Sequence, residues 1–317
     1  MPLHGLILYS GDNAANTTDP GNGVPWEQVG SINFGDPQSV SGTVIHLRGK
    51  YLLTANHVVE RSNVTFDGST FYAVDSNFSS IKIGTVDLKI MKLLEDPGLP
   101  DLDLNTNTLR DALSVTSTYL VAYGKGRDAE QASPGSPVSW DWGALDTVNK
   151  RWGTNSVYQA ANVGTEGSSL YYQALVLYLN SDAGNNEAAL ADRDSGSALF
   201  QRINSTWVLS GLATSVKTAD SSTFNLGTSG DYLVFVRISS YADEILAALP
   251  DLSTYAGWVT DNSLEAYDAD PTGDPDSDGM SNFLEFAFGT NPLKADRQDG
   301  PQVELAGSNL VMRWQQS

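Results

Sequence analysis

Apolar and polar residues alternate in short runs through the first 250 positions of the chain. Leu6 to Tyr9, Ser39 to His46, Tyr51 to Thr54, Val64 to Phe66, Phe71 to Val74 and Ile81 to Ile83 each read as a strand. Leu88 to Leu93, Tyr119 to Tyr123 and Ser169 to Leu179 continue the series, and Trp207 to Ala213 and Asp231 to Ile238 close it. Turn-forming residues punctuate the runs, as at Arg48-Gly49-Lys50 and throughout Ser10 to Pro25. Gly124 to Thr154, with Ser133-Pro134-Gly135-Ser136-Pro137 inside it, reads as loop. Many brief strands predict an all-β barrel or sandwich. Helical spacing first appears at Tyr241 to Leu249 and stops at Pro250.

From Asp251 the pattern changes. The last 67 residues hold 12 acidic and 3 basic side chains. Among them, Asp274-Pro-Asp276-Ser-Asp278-Gly279-Met280-Ser-Asn-Phe-Leu-Glu285 matches the D-x-D-x-D-G-x5-E calcium loop. Carboxylates at alternate positions can converge on one hard cation, Met280 can offer its carbonyl, and Glu285 can close the shell from a helix over Asn282 to Phe288. Asp268 and Asp270 are further candidate ligands. The stretch resembles the single calcium loops of thrombospondin type 3 and dockerin repeats in secreted proteins. Calcium is therefore expected as a structural ion, with no cofactor needed for catalysis. Three segments follow: a domain over 1–250, a calcium-loop appendage over 251–300, and 301–317 as the truncated start of something further.

The 18 basic residues against 38 acidic ones give a formal charge of −20. A nucleic-acid partner is excluded on this balance, since phosphates call for clustered Lys and Arg. With no cysteine, disulfides, thiolate metal sites and a cysteine nucleophile are excluded too. No run approaches the ~20 apolar residues of a membrane span.

The candidate chemistry lies in three strings. Asp192-Arg193-Asp194-Ser195-Gly196-Ser197-Ala198-Leu199-Phe200 is a tight turn that displays a serine and runs into a strand. A serine hydroxyl needs a base, and the base an orienting partner. Leu52-Leu53-Thr54-Ala55-Asn56-His57-Val58 supplies a histidine at a strand end, and Asp87 opens the alternating Leu88-Lys89-Ile90-Met91-Lys92-Leu93. His4 lies in the N-terminal tail and His46 inside a strand pattern, where a structural role is expected. Asp67 and Asp75 open no such strand.

His, Asp and Ser in this order, each in its local context, resemble the T-A-A-H, D-I-A-L-L-K-L and G-D-S-G-G-P-L-F segments of trypsin-like serine proteases. The resemblance spans roughly residues 36 to 250 and implies a chymotrypsin-like double β-barrel with a C-terminal helix, followed by a small helical calcium-binding appendage. It implies a catalytic triad of His57, Asp87 and Ser195, with an oxyanion hole from the Arg193 and Ser195 amides. Ala189, Thr214, Val216 and Leu233 match the specificity pocket, Thr214 standing where a serine supports the catalytic aspartate. Ala189 at the floor argues against a Lys/Arg preference, and Val216 and Leu233 imply a small or medium apolar residue before the scissile bond. Without disulfides, the likeness is to bacterial relatives, secreted, periplasmic or at the cell surface, with a signal peptide absent from this chain and a protein or peptide as substrate.

Two departures stand out. Arg193 replaces a glycine, and an ordinary backbone bearing a surface side chain is expected there; a glycine-like conformation would cost ~1 kcal/mol. No I-V-G-G-like string exists whose new amine could pair with Asp194, so either Asp194 has another partner or no such processing is needed. A catalytically inactive, protease-like binding module is the second reading, resting on Arg193.

Overall fold

The computed structural model describes residues 6–9, 14–36, 38–107, 118–131, 139–142, 148–164, 171–179, 184–217, 223–225, 231–295, 302–306 and 309–313. A short strand β1 (Ile7–Leu8) comes first. Seven strands then build one antiparallel sheet: β2 (Val29–Asn33), β3 (Gly42–Arg48), β4 (Tyr51–Thr54), β5 (Asn63–Thr65), β6 (Tyr72–Ala73), β7 (Ile81–Lys82) and β8 (Lys89–Lys92), ordered β6-β5-β2-β3-β4-β8-β7. Its apolar residues, among them Val29, Ile32, Val44, Leu53, Val64, Ile90 and Met91, are fully buried. Each stabilises the fold by about 1.5–3 kcal/mol on removal from water.

Two lysines within β8 are buried yet satisfied. The Lys89 Nζ donates to the Val58 carbonyl at 2.7 Å and pairs with Glu60 at 2.8 Å. The Lys92 Nζ lies 5.8 Å and 6.0 Å from the ring centres of Tyr51 and Phe78. His46, wholly buried on β3, bonds the Gly49 carbonyl at 2.8 Å, which is the structural role its strand pattern implies.

The second half supplies β9 (Thr118–Gly124), β10 (Arg127–Gln131), β11 (Ser139–Trp142), β12 (Asn149–Thr154), β13 (Val157–Gly164), β14 (Tyr171–Leu177), β15 (Ala188–Ala189), β16 (Ala198–Ile203), β17 (Thr206–Lys217), β18 (Thr223–Asn225) and β19 (Tyr232–Arg237). Seven of them form a second antiparallel sheet, ordered β12-β9-β16-β17-β19-β14-β13, and β10-β11-β18 form a small third one. Strand β1 pairs with β15, Ile7 opposite Ala189, and Leu6, Ile7 and Leu8 join Leu120, Leu175, Leu199 and Phe235 in one core. Helix α1 (Ala242–Ala247) follows a single 3-10 turn, Ile238–Ser240. Two curled antiparallel sheets and a closing helix make the fold all-β and chymotrypsin-like. Among the described residues no helix is long and apolar enough to cross a membrane.

The stretch read as loop between Gly124 and Thr154 holds three strands, β10, β11 and β12. Strand β12, Asn-Lys-Arg-Trp-Gly-Thr, carries no apolar alternation because its buried positions include Lys150 and Arg151. Pairing along the whole length of β9 overrides that polarity. The segment 133–137 lies outside the described residues.

Contacts divide the chain into two units, 1–246 and 247–317. In the second, α2 (Tyr255–Asp261) is capped by the Thr254 hydroxyl, which accepts from the Gly257 amide at 3.1 Å. Helix α3 (Asn282–Phe288) meets it through a ring cluster: Tyr255 stacks on Trp258 at 5.5 Å, and Phe286 stands edge-on to Tyr255 at 5.7 Å. Strands β20 (Gln302–Ala306) and β21 (Asn309–Arg313) pair as a hairpin.

Candidate active site and metal loop

Strand register positions the histidine and the aspartate. Thr54 on β4 faces Lys89 on β8, so the residues leaving β4 come beside those entering β8. His57 binds Asp87 twice: its amide donates to Oδ1 at 2.9 Å, and Nδ1 lies 2.6 Å from Oδ2. A carboxylate only accepts, so Nδ1 carries the proton. The neutral ring then presents Nε2 as an acceptor, 2.8 Å from Ser195 Oγ.

The serine turn is held from both sheets. Ser195 accepts from the Thr43 amide on β3 at 2.8 Å, and the Gly196 amide donates to the Ala213 carbonyl on β17 at 2.8 Å. Within the turn, the Asp194 amide donates to Ala191 at 3.2 Å and the Ser197 amide to Asp194 at 2.9 Å. The amides of Arg193 and Ser195 donate to no described residue. Amides without an internal partner are one requirement of an oxyanion hole.

Arg193 adopts φ +73°, in the left-handed region, rather than the ordinary backbone expected of it. The turn's bonding on either side imposes the conformation, at a cost of roughly 1 kcal/mol for a residue with a Cβ. Its guanidinium is half exposed, 3.8 Å from Asp192, which Lys125 binds at 2.6 Å. Arg193→Gly is therefore expected to raise stability by about 1 kcal/mol. A urea-denaturation midpoint unchanged or lowered by the substitution would show that the turn is not strained.

Asp194 is completely buried. Burial pushes its pKa well above the ordinary carboxylate value, opposed by the Ala191 amide, the Arg151 guanidinium and the Leu6 amide. The Ala191 amide donates to Oδ2 at 2.7 Å. Arg151, itself wholly buried on β12, donates from Nη1 to the Leu6 carbonyl at 3.0 Å. The hydrogen-bond partner of Asp194 is thus the Ala191 amide, while Arg151, tied to the Leu6 carbonyl, supplies positive charge nearby. Nothing local to Arg151 signals its burial, because the pairing of β12 with β9 and the bond to Leu6 join segments far apart in the chain.

Thr214 does not bond Asp87. Its hydroxyl meets the Tyr172 hydroxyl at 3.0 Å and the Val234 carbonyl at 3.4 Å. A bulge in the β17–β19 register falls at Thr214, between Ala213 and Ser215. A cleft of about 440 Å³ beside His57 is lined by Thr214, Tyr172, Ser215, Lys82 and Lys217, of which only Thr214 was singled out by the sequence. Ala189 and Leu233 lie fully buried in the core around β1, with Val216 packed against it and paired to Leu233. Residues 180–183, 218–222 and 226–230, which flank them in sequence, lie outside the described residues.

In the second unit, one carboxylate oxygen from each of Asp274, Asp276 and Asp278 lies within 4.8 Å of the others. Amides fold the loop inward: Asp278 donates to Asp274 and Asp276 at 3.2 Å each, and Gly279 to Asp274 at 3.0 Å. Asp276 Oδ2 is buried and accepts no hydrogen bond. Burial, with the neighbouring Asp278 and Asp274 charges, raises the Asp276 pKa. Such a set of oxygens suits a hard divalent cation. Met280 and Glu285 are buried beside the loop, Glu285 on α3, but Glu285 is not part of the three-carboxylate group. Asp268 and Asp270 serve the loop through their carbonyls, which accept from Asn282 Nδ2 at 2.6 Å and 2.8 Å.

Compared with known proteins, the chain matches no family model and no curated protein.

Proposed function

We propose that this protein is a serine endopeptidase. The observation that carries the reading is the unbroken relay from Ser195 Oγ through His57 to Asp87, with distances of 2.8 Å and 2.6 Å. Ser195 Oγ attacks the scissile carbonyl while His57 Nε2 takes its proton. The carbonyl oxygen, now negative, is received by the Arg193 and Ser195 amides. His57 returns the proton to the leaving amine, which departs and leaves an acyl-serine. Water, deprotonated by the same imidazole, then releases the acid and restores the serine. Asp87 holds the ring tautomer and stabilises its cation throughout.

A fluorophosphonate probe should label Ser195, and a peptide library should be cleaved after small or medium apolar residues. That preference rests on the likeness at Ala189, Val216 and Leu233 and not on the cleft lining. Cleavage dominated by Lys or Arg would refute that specificity. The second reading, an inactive binding module, is favoured by the left-handed Arg193. It predicts no labelling and no turnover. On either reading the chain acts outside the cytoplasm on a protein or peptide partner.

Calcium belongs to the same proposal. Asp274, Asp276 and Asp278, with Glu285 and the Met280 carbonyl, would hold one ion, whose charge relieves the repulsion among the carboxylates. Binding only to the folded form stabilises it by RT ln(1 + [L]/Kd), about 2.7 kcal/mol at a hundredfold excess over Kd. Chelation should make residues 265 to 295 sensitive to added protease while Ser195 still labels. Calorimetry should register binding at millimolar calcium. Binding that survives Asp276→Ala unchanged would show the loop to be only acidic.

A further inference from the structure

A second cavity, of about 550 Å³, opens among residues that take no part in the Ser195 relay. Its volume falls in the range of small-molecule sites. Trp26, Tyr72 and Leu99 line it, and so does Lys150, a cation only 5% exposed. The Lys150 Nζ sits 4.7 Å from the Trp26 ring centre and donates to the Phe66 carbonyl at 3.0 Å. An ammonium has three N–H groups, and no described carboxylate lies within ion-pair distance of this one. Burial draws the Lys150 pKa down to about 7, against the pull of Glu27, Asp67 and Asp19. The buried cation is under-compensated.

Of the three carboxylates at the cavity, Asp67 is already committed to its own turn. Its oxygens accept from the Ser69 and Thr70 amides at 2.7 Å each and from the Thr70 hydroxyl at 2.9 Å. Glu27 accepts from no described residue, and Asp19 takes only the Gly21 amide, at 2.7 Å. A ligand carboxylate would supply the counter-charge that Lys150 lacks. A purely anionic ligand would be opposed by the acidic lining, whereas one that carries its own ammonium finds Glu27 and Asp19.

We propose that this cavity binds a small zwitterion, an α-amino acid or dipeptide with an apolar side chain, with its carboxylate on Lys150, its ammonium at Glu27 and Asp19, and its side chain against Trp26, Tyr72 and Leu99. The site stands apart from the proteolytic reading and is tested without it. Full-length protein carrying Ser195→Ala, which cannot turn peptides over, is titrated calorimetrically with L-phenylalanine and L-leucyl-L-leucine, and with their carboxamide and N-acetyl forms. The zwitterions should bind, and blocking either charged end should weaken binding about tenfold or more, as for loss of a charge-assisted hydrogen bond. In Lys150→Met the carboxamide penalty should vanish, and in Glu27→Gln the N-acetyl penalty should shrink. Lys150→Met should melt no lower than its parent, because it removes a buried cation. Should it fail to fold, the exposed Glu27→Gln decides. No binding of any zwitterion at millimolar concentration, equal binding of the blocked forms, or variants that bind like their parent would overturn the proposal.

Discussion

Replacing Ser195 with alanine is expected to lower peptidase kcat by about a thousandfold or more, and His57→Ala by a similar factor. The two losses should not add, because nucleophile and base act as one unit. Ser195 Oγ and His57 Nε2 are already 2.8 Å apart without substrate, so neither residue needs to move before the proton transfers. His57 lines the cleft, its imidazole nearly half exposed, and Ser195 is partly exposed, so their truncation leaves the core untouched. Steady-state kinetics on a cleaved peptide, with circular dichroism to confirm the fold, measures the effect. Activity that persists in both variants would remove Ser195 and His57 from the chemistry.

Gly196→Ala is expected to unfold the serine turn rather than merely disarm it. Gly196 has φ +91°, and a Cβ placed there would sit 2.0 Å from the Thr43 carbonyl oxygen and 2.6 Å from Thr54 Oγ1. Neither neighbour can withdraw easily. Thr54 Oγ1 donates to that same carbonyl at 2.7 Å, and Thr43 holds Ser195 through its amide at 2.8 Å. A methyl group would therefore separate β3 from the serine turn and displace Ser195 with it. The expected cost is about 3 kcal/mol or more, with loss of fluorophosphonate labelling. An unchanged denaturation midpoint would contradict the contact.

The residues of the Ser195 site were legible where the signal is local. His57 follows an apolar strand, Asp87 precedes an alternating one, and Ser195 stands in a glycine-containing turn, so short strings disclose all three. What stayed hidden depends on pairing between distant segments. Arg151 and Lys150 are buried because β12 pairs with β9, and charged residues in a polar run read as exposed until that pairing is known. Strand β13 was missed for the converse reason: after Val157 none of its positions is buried, and it is held by backbone bonds to β14 at a sheet edge. Thr214 was placed at the cleft, but the bulge that turns its hydroxyl to Tyr172 leaves no mark in composition. Arg193 shows the limit most clearly. An arginine carries no preference for positive φ, and the turn on either side dictates it.

The pairing of Ile7 with Ala189 ties the first strand to one synthesised roughly 180 residues later. At ~5–20 residues per second, a ribosome takes roughly 10 to 40 s to cover that distance. Throughout that interval the apolar Leu6, Ile7 and Leu8 have no partner strand, and Asp194 has not yet been made. Non-local closure of this kind slows folding relative to a chain with short-range contacts. The turn bearing Ser195 is therefore completed late, after the first sheet can have formed. Until then the nascent chain carries no assembled Ser195 turn, a delay set by topology alone.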